Sequence, residues 1–187
     1  MAVEGLPIET RSLLIRHLVP ADTASVLALS QESAYRTWLP SQVYRDRDHA
    51  TMALEFLIRQ SLDPGHPGRG PYVLAIEHRG LGALLGHVGF SPHDSDVEIG
   101  FAIAQAHQGQ GYATEAIVAA TRWALQAFEL ATIVGITSAA NVASKKTLLR
   151  AGFAWQRDQA MEFQGTEQDV SVYIMTRSSP SESGAGT

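Results

Sequence analysis

The sequence of 187 residues contains no cysteine. This absence excludes disulfide bonds, zinc sites built from thiolates and a cysteine nucleophile, and it is typical of a cytoplasmic protein. No apolar run approaches the roughly 18 residues that a membrane-spanning helix needs. The first segment, MAVEGLPIETRSLLIRHL, lacks the basic region and apolar run of a signal peptide. We therefore predict a cytoplasmic protein without a membrane partner.

Several functional motifs are missing as well. The seven histidines form no H-x-x-x-H pair, and no group of His, Asp and Glu has the spacing of metal ligands, so we predict no metal site. Neither G-x-S-x-G nor G-K-[ST] occurs. The formal net charge of −5 argues against a broad surface for nucleic acid.

What is present is an alternation of strand and helix patterns that predicts an α/β (α+β) fold, with a mixed, mostly antiparallel, twisted sheet flanked by helices. We predict the order βααβββαβαββ in a single domain of residues 8–177, followed by a disordered tail of residues 178–187. The first half is predicted as a strand at 11–18, a helix through about residue 33, a loop at AYRTWLPSQVY and a helix at 47–62. The second half is predicted as strands at 72–78, 81–92 and 97–103, a helix, a strand at 131–138, a helix between Asn141 and Gly152, and a hairpin around Gly165.

A glycine-rich turn, QGQGYAT, separates the strand at 97–103 from the helix that follows. Gly109 and Gly111 allow a ligand to approach the main chain, and the first N–H groups of a helix carry partial positive charge without an internal partner. The turn therefore favours a phosphate site. Two alternatives are a purely structural turn and a dinucleotide fingerprint, which fits poorly because Thr114 occupies its third small position.

A second motif follows on the next helix: Asn141, the only asparagine of the chain, and then Gly152-Phe153. Taken with Gln108-x-x-Gly111-x-Ala113, it resembles the GNAT superfamily of acetyl-CoA-dependent N-acetyltransferases. The segments TRSLLIRHLVPADTASVLAL and NVASKKTLLRAGF are similar to the branch of the ribosomal-protein N-terminal acetyltransferases.

The resemblance implies acetyl-CoA as the acetyl donor, without a metal. Backbone N–H groups of the glycine turn would hold the pyrophosphate, and the strand at 97–103 would pair with the pantetheine arm. That arrangement requires the strands of Phe101 and Ile136 to pair at their starts and then diverge. The implied contacts are Phe101, Ile103, Gln108, Gly109, Gly111, Tyr112, Ala113, Thr114 and Asn141, although Asn141 is also a good helix N-cap.

The sequence departs from the family pattern at two positions. Gln108 stands where the branch often has arginine, and Leu148 stands where many members have a tyrosine that protonates the leaving thiolate. Ser144 occupies the position of a serine that some relatives use instead. A thiol pKa near 8.5 also permits unassisted departure.

Glu98 lies within the apolar run VEIGFAI. A carboxylate with a raised pKa could accept the proton that an ammonium group must lose before it attacks. Strand alternation places Glu98 on the acceptor side and Phe101 toward a helix. The alternatives are a solvated Glu98, or His87 as the base.

The acceptor is predicted only as a primary amine, in a small molecule or at a protein N-terminus. Trp38, Leu39 and Tyr44 either line its pocket or belong to the core, and Lys145 and Lys146 either bind the 3′-phosphate or are ordinary surface charges. We predict a monomer or homodimer. The alternative function is a non-catalytic module of this fold that binds coenzyme A.

Overall fold

A computed structural model describes residues 4–63 and 65–177. They form an eight-stranded sheet with the spatial order β1-β2-β3-β4-β5-β6-β8-β7. Neighbouring strands are antiparallel except for β5 and β6, which are parallel. The strands are β1 (Ile8–Glu9), β2 (Leu13–His17), β3 (Tyr72–His78), β4 (Ala83–His93), β5 (Asp96–Ile103), β6 (Thr132–Ser138), β7 (Ala154–Phe163) and β8 (Thr166–Thr176).

Helices cover both faces of this sheet. They are α1 (Thr23–Ser30), α2 (Ser33–Trp38), α3 (Arg47–Leu62), α4 (Tyr112–Ala127) and α5 (Val142–Arg150). On one face, Ile117 and Ala120 of α4 and Leu148 of α5 pack against the main core. On the other face, Leu54 of α3 packs with Ala75 of β3. The predicted fold class is confirmed.

The parallel pair β5–β6 forms only a short contact. Its three paired positions are Val97 with Ile133, Glu98 with Val134, and Ile99 with Gly135. Beyond Ile99 the strands no longer pair, whereas β6 continues along β8 to Ser138. The predicted divergence is therefore confirmed, and it leaves an open wedge in the middle of the sheet.

The predicted element order lacks two elements that the structure contains. One is β1, whose two residues are too short to show a period. The other is α2, which lies in the segment predicted as a loop; it is only six residues long, so its pattern covers less than two turns.

Element bounds also differ from those predicted. The β7–β8 hairpin is longer at both strands and turns tightly at Gln164 and Gly165, which both have positive φ. The predicted disordered tail lies outside the described residues, and the domain bounds of 8–177 stay a prediction. No helix in the described part of the chain is long and apolar enough to cross a membrane.

Candidate active site

The glycine turn sits at the N-terminus of α4. Gly109 and Gly111 have φ angles of 75° and 87°, a left-handed conformation that glycine adopts without strain. Gly111 is the N-cap of α4 and has no side chain to cap the first N–H groups. A Cβ atom at either glycine would meet nothing within 4 Å. The turn therefore presents exposed backbone donors to open space, as an anion site requires.

A cleft of about 490 Å³ runs from this turn through the wedge between β5 and β6. Every residue that the sequence predicted for the site borders it: Glu98, Phe101, Ile103, Gln108, Gly109, Gly111, Tyr112, Ala113, Thr114, Asn141 and Ser144. These positions show that the residues share one cleft. Their individual roles stay predictions.

Two of these side chains already have partners within the protein. The Gln108 amide donates a hydrogen bond to the Ile103 carbonyl oxygen, at 2.9 Å. The Tyr112 hydroxyl lies 3.2 Å from Nε2 of His78. The Gln108 side chain is therefore hydrogen-bonded to the end of β5. The backbone N–H groups next to it in the turn are more available to a ligand.

Asn141 caps α5, because its Oδ1 accepts a hydrogen bond from the Ser144 N–H at 3.1 Å. Ser144, in the first turn of this helix, borders the cleft. Leu148, one turn later, is 1% exposed and belongs to the core. It does not border the cleft, so position 148 offers no proton donor there.

The cation at the cleft is Arg150, at the end of α5, which the sequence reasoning missed. Among the described residues that border the cleft, Arg150 is the only arginine or lysine. Lys145 and Lys146 do not border it, and Nζ of Lys145 lies 3.4 Å from the Ala139 carbonyl oxygen. The only sequence signal for Arg150 was its helical spacing from Asn141. That spacing does not show which surface a long side chain contacts.

Glu98 is the partly buried carboxylate of the cleft. Its side chain is 23% exposed, and burial raises its pKa from 4.5 to about 7. Ser91 faces it directly across β4–β5, and Nδ1 of His93 lies 3.9 Å from its Oε2. A carboxylate with this pKa is half ionised near neutral pH, which suits a general base.

His87, the second candidate for the base, has a different environment. Burial lowers its pKa to about 4, so it is neutral at pH 7 and a weak proton acceptor. Its Nδ1 lies 3.2 Å from the Tyr35 hydroxyl. Burial also raises the pKa of Tyr35 well above the usual value. This pair is an uncharged polar contact, and it favours Glu98 as the base.

The early segment contributes more to the site than its sequence indicated. Trp38 and Leu39 border the cleft, while Tyr44 borders a neighbouring cavity. Tyr35 and Gln42, which the sequence reasoning did not single out, border both. No group of three or more potential metal ligands occurs among the described residues.

Comparison with known proteins gives a family match. The family described as "Acetyltransferase (GNAT) domain" matches residues 12–154. The chain is also 31% identical over 109 residues to the uncharacterized N-acetyltransferase YoaA of Bacillus subtilis (strain 168). That alignment covers 54% of this chain and 60% of the relative, so the match spans less than two thirds of that relative's length.

Solved structures with the same fold include two bacterial acetyltransferases. An acetyltransferase of the GNAT family from Bacillus anthracis superposes with a TM-score of 0.76 at 18% identity, over 90% of this chain and 97% of that one. RimJ of Mycobacterium smegmatis, in complex with CoA-disulfide, gives a TM-score of 0.71 at 18% identity, over 88% and 81% of the two chains. At this level of identity the likeness concerns the fold.

Proposed function

The chain belongs to the GNAT acetyltransferase family, and we propose that it transfers an acetyl group from acetyl-CoA to a primary amine by direct attack. One observation carries the proposal. The wedge between β5 and β6 joins, in a single cleft, an open glycine turn at Gly109–Gly111 and a partly buried carboxylate at Glu98.

In this proposal the glycine turn and α4 hold the pyrophosphate. Gly109 and residues 111–114 border the cleft. The first N–H groups of α4 have no partner within the helix, and the helix dipole adds partial positive charge. Arg150 supplies the side-chain cation that Gln108 lacks. The unpaired edge of β5 at Phe101 and Ile103 binds the extended pantetheine arm of acetyl-CoA, as it would bind a neighbouring strand.

The thioester that acetyl-CoA supplies is an activated acyl group, so this chain's residues need only position the amine and move protons. Glu98 accepts a proton from the ammonium group, directly or through one water, and the amine nitrogen then forms the new C–N bond as the C–S bond breaks. Backbone N–H groups near Ile103 face the carbonyl oxygen as negative charge develops there. The second proton of the amine nitrogen passes through the Ser144 hydroxyl, which gives up one proton to the departing sulfur as it receives the other, so that the products are the amide and the free thiol.

The acceptor proposed from the branch resemblance is a protein N-terminal amine. Its pKa lies near 8, well below that of lysine near 10.4. A base with a pKa of about 7 can deprotonate an α-ammonium group with a small energetic penalty, whereas a lysine side chain would be a poorer match. Glu98 therefore supports an α-amine more than a side-chain amine.

The test is release of coenzyme A thiol from acetyl-CoA in the presence of amines, with the acetylated product identified by mass spectrometry. The panel contains short peptides with free N-termini, N-blocked peptides with one lysine, and simple monoamines. Transfer that requires a free amine and is lost in Glu98→Gln supports the proposal.

One observation favours a second function, a module that binds coenzyme A without turnover. Leu148 is buried where many family members carry the acid. Calorimetric binding of acetyl-CoA without thiol release for any amine would support this alternative.

A further inference from the structure

A second cavity, of about 370 Å³, lies behind the proposed reaction cleft. It is partly open to solvent and lies between the sheet face of β3–β5 on one side and α1, α3 and residues 41–44 on the other. Tyr35, Gln42, Ser91 and Gly100 border both spaces. The cavity therefore adjoins the cleft that contains Glu98, and its size falls within the usual range of small-molecule sites, about 300–1,000 Å³.

Gly100 of β5 lies where the two spaces meet. Its direct cross-strand partner is Gly89 of β4, where a Cβ atom would lie 2.9 Å from Cγ2 of Val73, so the Val73 side chain fills the space over Gly89. A Cβ atom on Gly100 would meet nothing within 4 Å. Gly100 is two residues from Glu98, so both lie on the same face, about 7 Å apart along the strand. A group that extends from an amine at Glu98 across Gly100 enters the cavity.

The chemistry of the lining defines what can enter. Among the residues that the structure describes, no aspartate, glutamate, lysine or arginine borders the cavity, although His49 and His87 do. Its walls are mostly aliphatic and aromatic: Leu18, Val26, Leu29, Leu54, Leu57, Val73, Leu84 and Phe90. Its tyrosines, Tyr35 and Tyr44, have raised pKa values because they are buried. A charged substituent would be desolvated there without a partner of opposite charge.

We propose that this cavity receives the substituent of the acceptor amine, and that this substituent is uncharged and mainly apolar. The inference rests on the proposed acetyl transfer and adds the class of acceptor. The same chemistry occurs in a small arylalkyl or alkyl amine and in a peptide whose first residue is apolar. Polyamines and aminosugars, with several charges near the reacting amine, are excluded.

The first experiment compares acceptors that differ by one charge. Hexylamine and 1,5-diaminopentane have similar lengths, but the diamine ends in a second ammonium group. Phe-Ala-Ala and Lys-Ala-Ala provide the same contrast at a peptide N-terminus. We expect kcat/KM to favour the apolar member by on the order of 10- to 100-fold, the range typical of a hydrophobic pocket.

The outcomes are distinct. A preference confined to the monoamines identifies a small-molecule acceptor, and one confined to the peptides identifies a protein N-terminus; either supports the inference. Transfer to all four without preference, or preference for the charged members, overturns the inference and leaves acetyl transfer standing. Absence of transfer to any amine overturns acetyl transfer and this inference together.

The second experiment obstructs the place where the two spaces meet. Gly100→Leu places a side chain between Glu98 and the cavity, at a position where a Cβ atom would meet nothing within 4 Å. The ratio compares a large with a small apolar acceptor of the class that the first experiment identifies, hexylamine with ethylamine or Phe-Ala-Ala with Gly-Ala-Ala. We expect the ratio of their kcat/KM values to fall at least about tenfold. Gln156→Leu, which adds the same side chain at an exposed strand position outside both spaces, serves as the control. Gly100→Ala provides a smaller graded change, so the test survives if the leucine variant does not fold. An unchanged ratio in a folded Gly100 variant overturns the inference.

Discussion

Ser91 and Glu98 are direct partners across the antiparallel strands β4 and β5. Nδ1 of His93 lies 3.9 Å from Oε2 of Glu98, beyond hydrogen-bond distance. The carboxylate is therefore partly buried without a hydrogen-bonded cation, and this burial raises its pKa to about 7.

Glu98→Gln should lower kcat by roughly 10²-fold or more, because the amide cannot accept a proton. The KM for acetyl-CoA should hardly change. Steady-state thiol release measures both. Glu162→Gln, at an exposed carboxylate near the same opening, is the matched control and should retain activity. Full turnover of Glu98→Gln at neutral pH would show that the base lies elsewhere, with His87 next to test.

The pH dependence of kcat should report the same group. The carboxylate is the active form, so the wild-type rate should rise with pH through about 7 and then level off. In Glu98→Gln the rise of the rate near pH 7 should be absent. The residual rate should follow the ionisation of the amine alone. A wild-type profile without a limb near pH 7 would contradict the assignment.

Glu98→Gln should also stabilise the protein at pH 8. The folded pKa of about 7 exceeds the ordinary 4.5, so the folded state holds the proton more tightly. The free energy of unfolding therefore falls between pH 4.5 and 7 and stays lower above pH 7. The neutral variant should gain up to about 3 kcal/mol at pH 8 and nothing below pH 4.5. Urea unfolding at both pH values measures this, and an equal difference at both would refute it.

Gly111→Asp should weaken acetyl-CoA binding by roughly tenfold or more, because a carboxylate near the pyrophosphate adds about 1–4 kcal/mol of repulsion. Gly82→Asp is the control, since Gly82 also has positive φ and an open surrounding but does not border the cleft. Calorimetry measures affinity, and a thermal melt separates loss of binding from strain. Unchanged affinity in Gly111→Asp would remove the glycine turn from the site.

Arg150→Ala should raise the KM for acetyl-CoA about fivefold at low salt, the scale of an exposed charge pair of about 1 kcal/mol. The difference should shrink at high salt because the charges are screened. Lys146→Ala removes a cation from the same helix, outside the cleft, and should leave KM unchanged. An equal rise in KM for both variants would show that the net charge of the protein, and not a contact from Arg150, affects acetyl-CoA binding.

The sequence by itself determined the elements that depend on local pattern. The glycines at 109 and 111 and the helix after them follow from backbone freedom and helical period. The Asn141 cap follows from its side-chain oxygen, and the orientation of Glu98 follows from alternation along β5. These features predicted the family and the main residues of the cleft. They could be read from the sequence because each depends only on residues that are close together in the chain.

Only the tertiary structure decided the features that depend on partners distant in the chain. The buried position of Leu148 results from its packing against Gly135 of β6, where a Cβ atom would lie 2.9 Å from Leu148 Cδ2. Whether Arg150 or the lysines reach the cleft depends on how α5 is docked. The apolar cavity forms where residues 35–44 fold against the sheet face that contains Gly100. These segments are distant in the chain, so no local period in the sequence predicts that they meet.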